Sequence, residues 1–284
     1  MHDTASHLDF GKEIIEDIAA NRIQLPTLPE VALKVRDAVE NETASAPQLA
    51  EIVSGDPALS ARLLQVANSP LYRGRVPIDN IQMAITRMGL NLVKSLVVSL
   101  AMKQIFQATS ETLDRQFRKV WEESIEVAAI SRVLAGSVDG LEKEQAMLAG
   151  LIHNIGALPI LTKLDHSLGY DTDPCLMSTL IRELAPKIGN QILKHWNFSD
   201  SFLQIPEQCL QLDRDSAQAD YADIVLVARL EHLAASGDKD TLNSMDQWSQ
   251  YPAFAKIGME TEVIVLDIEG PAEEIAEVRN MFSA

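Results

Sequence analysis

The stretch "LAGLIHNIGALPIL", residues 148–161, sets a histidine beside an asparagine in an otherwise apolar run. Burying polar groups costs free energy unless they are hydrogen-bonded or ligated, so His153 and Asn154 are the first residues to ask for chemistry. Three roles suit them: ligands of a working metal, remnants of such a site, or core residues bonded to backbone carbonyls. A catalytic divalent metal needs about three protein ligands, some of them anionic, and an open position for the attacking water.

Other chemistries have less to stand on. The chain has no G-x-S-x-G, H-E-x-x-H, P-loop or G-x-G-x-x-G. His166, His195 and His232 are isolated in sequence, and neither Cys175 nor Cys209 has a neighbouring His pattern that would activate a thiolate. Arg73 and Arg75 share the loop "YRGRVP" and form a candidate surface for an acidic partner or a nucleotide. Two solvated loop arginines are the plainer reading.

Composition narrows the field. The 284 residues can bury a sizeable core. The net charge of −17 is unevenly spread: residues 1–107 carry 10 Lys and Arg against 12 Asp and Glu, residues 108–284 carry 14 against 29. Such acidity repels phosphate backbones and anionic membranes, so neither nucleic acid nor membrane is an expected partner. Two cysteines 34 residues apart make no disulfide framework and no CxxC, which points to a reducing cytoplasm. The N-terminus lacks the basic and apolar regions of a signal peptide, and the run "SLVVSLAM" is far too short to span a bilayer.

The elements that must position these residues read as helices. Leu8, Ile14, Ile15 and Ile18 mark a first amphipathic helix, and Val31, Val35 and Val39 a second. Ser45 is a plausible N-cap, Gly55 a stop, and Asp56-Pro57 the start of "ALSARLLQVANS". Asn68 is placed to bond free carbonyls at that helix's end. Gly89 separates "IQMAITRM" from a long apolar core helix. In the second half, helices are expected near 113–137, 142–163, 176–197 and 217–236, then a strand in "TEVIVLDIEG" and a short helix.

Three of these segments, "LPTLPEVALKV", "LAEIVSGDPALSARLLQVANSPLY" and "IDNIQMAITRMGLNLVKSLVVSLAM", together resemble the HDOD domain, a relative of the HD metal-dependent phosphohydrolases. The resemblance runs from about residue 20 to about residue 236. It implies an all-α, multi-helix bundle of HD-like type. Residues 1–107 would form an N-terminal helical subdomain, 108–237 a degenerate HD-like half, and 238–284 a C-terminal strand/helix appendage.

Catalytic HD relatives gather His and Asp side chains around one or two metals. The resemblance implies that the matching positions here are Glu123, His153, Asn154, Ala185, the neighbourhood of Gln208-Cys209, and Arg229, with Leu226 where many relatives carry a further histidine. Of that set only His153 is unchanged. The pocket would be vestigial, with no catalytic residue, no metal and no cofactor. Glu123 and Arg229 would meet across it as an ion pair.

The expected function is a non-enzymatic bacterial signal-transduction module that binds a protein partner in a sensory or regulatory pathway. A cyclic dinucleotide is a lesser candidate ligand, and a second copy of the chain a further candidate partner. The alternative is a metal-dependent phosphohydrolase, a phosphodiesterase with atypical ligands His153, Asn154 and Glu123.

Overall fold

The computed structural model describes residues 16–17, 25–40, 45–108, 110–168, 174–259 and 270–283. The expected first helix lies outside the described residues apart from 16–17, which are helical, and the expected strand lies outside them apart from its last residue. No strand occurs among the described residues. The architecture is all-α.

The first half is built from α1 (Glu30–Glu40), α2 (Ala46–Ser54), α3 (Pro57–Ala67), α4 (Ile81–Met88) and α5 (Leu90–Met102). The sequence cues act as caps. The Asp56 carboxylate accepts from the Leu59 N–H at 3.0 Å and starts α3. At its other end the Asn68 amide donates to the carbonyls of Leu64 (2.9 Å) and Ile78 (2.8 Å) and accepts from the Ile78 N–H (2.8 Å). One side chain thus closes the helix and clips the following loop to it. Gly89 takes φ 87°, a left-handed conformation that lets α4 turn into α5.

From Leu96 to Met102 every residue of α5 is buried, the pattern of a helix with neighbours all round. It packs on α1 and α3 in its own half and on α7 in the other.

The second half contains α6 (Glu111–Ala135), α7 (Lys143–Ile152), α8 (Ala157–Leu168), α9 (Pro174–His195), the short α10 (Asp200–Leu203) and α11 (Ile205–Gln208), and α12 (Tyr221–Ala235). Then come α13 (Lys239–Ser244), α14 (Pro252–Ile257) and α15 (Pro271–Ser283). Helix α6 is the spine, touching α7, α8, α12 and α15. One contiguous apolar cluster runs from Leu28 to Phe282 through both halves. The halves are also tied by Trp196, whose indole N–H donates to the Pro26 carbonyl at 2.9 Å and whose own carbonyl accepts from buried Arg36.

Two buried cation networks fasten the later helices. Asp223, with no exposed surface, is held at 2.8 Å by both Arg214 and Lys256 and joins α12 to α14. Arg132, 5% exposed, contacts Glu144 of α7 at 3.1 Å and Glu274 of α15, and stacks over the Tyr72 ring. The Tyr72 hydroxyl bonds Glu144 in turn at 3.0 Å. A single guanidinium therefore links α6, α7, α15 and the loop after α3.

Candidate functional site

The helix expected over 142–163 is two helices. It breaks at residues 153–156, between α7 and α8, and His153 is the C-terminal cap of α7. Two glycines three residues to either side explain the placement. A methyl group on Gly150 would lie 2.7 Å from the backbone N of Ala128, so α7 packs backbone to backbone on α6. One on Gly156 would run into the carbonyl oxygen of Ala185 and lie 2.6 Å from the N of Gly189, so the turn seats directly on α9. The segment that carries His153 is thus seated on α6 before it and on α9 after it.

Its ring is 6% exposed. Nδ1 lies 2.6 Å from the carbonyl oxygen of Gly150, one turn back, and donates to it in the neutral tautomer. That leaves Nε2 as a bare acceptor, buried and without a hydrogen-bond partner among the described residues. Burial first, and then the Arg229 cation and His232, push the imidazole pKa down from 6.5 to about 3 against the opposing Gly150 bond. The ring is neutral at any physiological pH.

The positions assigned from the family resemblance come together. Glu123 of α6, His153, Asn154, Ala185 of α9, Cys209 and Arg229 of α12 line one half-open cleft of about 350 Å³. Arg182 stands at its exposed rim, a residue sequence reasoning missed. Its spacing of three from Ala185 on one helix was the available signal. Leu226 is buried in the core. Arg73 and Arg75 lie outside the cleft and are exposed.

One expectation fails. Glu123 and Arg229 form no ion pair; Arg229 Nη1 instead donates to the Cys209 carbonyl at 3.0 Å. That carbonyl follows the last residue of α11, where helix geometry leaves acceptors unsatisfied, and it takes up the guanidinium. The Cys209 thiol is buried, and burial pushes its pKa up, the opposite of an activated nucleophile.

The cleft can be tested against the metal centre of the HD enzymes. Among the described residues no group of three His, Cys, Asp or Glu side chains is placed to hold an ion. Asn154 offers a neutral oxygen, Ala185 nothing, and Arg229 a permanent cation. The field that holds a second proton off His153 also opposes a dication. This donor set does not fit a catalytic metal.

Comparison with known proteins identifies the family. Residues 25–209 match the HDOD domain. The chain belongs to the HDOD family. A Shewanella amazonensis protein provisionally named a metal-dependent phosphohydrolase is 30% identical, with TM-score 0.85 over 98% of this chain and all of that one. An HDOD domain protein of unknown function from Geobacter sulfurreducens is 19% identical, with TM-score 0.67 over 99% of this chain and 100% of its own, and shares the fold. An uncharacterised protein of Treponema pallidum is 24% identical over 196 residues, and this HDOD chain spans 37% of its length. Among the described HDOD residues, 143–165 are long and apolar enough to cross a membrane, and 83% of the most apolar window there is buried inside the fold.

Proposed function

We propose that this HDOD protein is a non-enzymatic bacterial signal-transduction module, cytoplasmic, acting by protein–protein interaction with the HD metal site lost. The observation that carries the reading is Arg229. It lines the cleft at a position where the family resemblance calls for an acidic ligand, beside Asn154 and Ala185 in place of two further ligands. A fixed cation cannot coordinate a metal and repels one. Elemental analysis of protein purified without chelator, with a phosphodiesterase assay in Mn²⁺, tests it. The expected result is no stoichiometric metal and no turnover. Bound metal with turnover lost in His153→Ala would overturn it.

The phosphohydrolase reading stays as the second, favoured by two observations. The Shewanella relative carries that name. The Gly150 bond at Nδ1 leaves His153 Nε2 in the tautomer that binds metals.

For the partner we propose the loop after α3. Arg73 and Arg75 are exposed there, and the loop is held by Asn68, by Tyr72 and by Arg87, which bonds the Val76 carbonyl. Val76, 56% exposed, adds an apolar side chain on the same loop. An acidic protein segment suits this surface. Affinity capture from lysate with wild type and Arg73→Glu/Arg75→Glu tests it: a partner lost with the charge reversal is expected, and equal capture by both would exclude the loop. A second copy of the chain and a cyclic dinucleotide are the remaining candidates, read out by sedimentation and by thermal shift. The division at residues 107 and 237 belongs to the same proposal.

A further inference from the structure

The cleft around His153 holds both signs of charge without joining them. Glu123 is half-buried on α6 and bonds to no other described residue. Arg229 is half-buried on α12, and its one hydrogen bond among the described residues, through Nη1, leaves the rest of the guanidinium unengaged. His153 Nε2 is a buried acceptor without a partner. Buried polar atoms are ordinarily satisfied, and exceptions call for a missing group. The unmet needs are complementary: the carboxylate and Nε2 want donors, and the guanidinium wants an anionic acceptor.

A simple anion would satisfy Arg229 and be opposed by Glu123. A simple cation would meet the reverse. A molecule with an ammonium at one end and a carboxylate at the other satisfies both, and a 350 Å³ cleft admits one of amino-acid size. We propose that this cleft is a binding site for a small zwitterion of the α-amino-acid class, the carboxylate on Arg229 and the ammonium between Glu123 and His153. Arg182 at the rim adds a screened second cation and favours acidic over basic side chains on the ligand. The inference rests on the non-catalytic reading of the same cleft and makes the site a sensor input instead of a reaction centre.

The test is thermal shift on the full chain with the standard α-amino acids at millimolar concentration, each beside its N-acetyl and its carboxamide derivative. The expected result is a Tm rise of roughly 5 °C for at least one free amino acid at a hundredfold excess over its Kd, led by the acidic ones. Neither derivative should reproduce it. Arg229→Gln and Glu123→Gln should each abolish the rise while keeping the wild-type circular dichroism, and Arg73→Glu/Arg75→Glu should retain it. No rise with any free amino acid, an equal rise with an N-acetyl derivative, or a rise that survives Arg229→Gln would overturn the proposal. A parallel Mn²⁺ arm separates the two failures. Stabilisation by Mn²⁺ that His153→Ala removes would overturn the non-catalytic reading, whereas no response to either probe overturns the zwitterion site alone.

Discussion

Arg229 Nη1 donates to the carbonyl oxygen of Cys209 at 3.0 Å, and the same guanidinium holds down the proton affinity of His153. One side chain therefore closes the end of a short helix and sets the electrostatics of the cleft. Removing its charge in Arg229→Gln should raise the His153 pKa. The value should stay below 6.5, because burial is the larger cause. Histidine NMR titration reads this directly. The lost bond should cost about 1 kcal/mol in urea denaturation.

The depressed pKa of His153 also makes stability depend on pH. Unfolded, the imidazole takes up a proton near pH 6.5; folded, only near 3. Between these values the unfolded state binds more protons, so the contribution is complete above 6.5 and is lost as pH falls toward 3, by at most about 1.4 kcal/mol per unit. Between about pH 7 and about pH 5, wild type should lose about 2 kcal/mol more than His153→Gln. Equal losses in urea titrations would show that His153 is not the group responsible.

Substitution of the two kinds of glycine should differ in cost. Gly156→Ala drives a methyl group into the backbone of α9, where nothing flexible can yield. It should cost about 3 kcal/mol or prevent accumulation. Gly89→Ala meets open space and suffers only its left-handed φ of 87°, about 1–2 kcal/mol. Thermal unfolding of the pair orders them.

Arg132→Met should release the C-terminal helix before the body unfolds. It leaves partly buried Glu144 with only the Tyr72 hydroxyl and Glu274 with only Lys143, and it removes the stacking partner of Tyr72. A loss of about 3 kcal/mol is expected. Limited proteolysis should cut ahead of α15 in the variant at protease levels that leave wild type intact.

Much of the site was legible before the fold was known, because the HDOD resemblance supplies a register. It placed Glu123, His153, Asn154, Ala185 and Arg229 on one cleft, and they share one. Local cues did the same for the caps at Asp56 and Asn68, where the partner is a few residues away. What sequence could not supply was distance across helices. The break at 153–156 seats Gly156 against the backbone of α9, an approach that no periodicity records. The Glu123–Arg229 pair does not form, and the arginine instead donates to a backbone carbonyl, which is invisible as a residue type. The Arg132 hub joins positions from 12 to 142 residues apart and leaves no local trace.

The glycine contacts on either side of His153 have a consequence for how such a protein can change. Bulk at Gly150 or Gly156 meets main-chain atoms that cannot swing aside, so α7 stays seated on α6 and the turn after it on α9. The side chains that line the cleft are free to drift, while the helix spacing around it persists. Under that constraint a change of recognition at this cleft comes more readily than its closure into solid core.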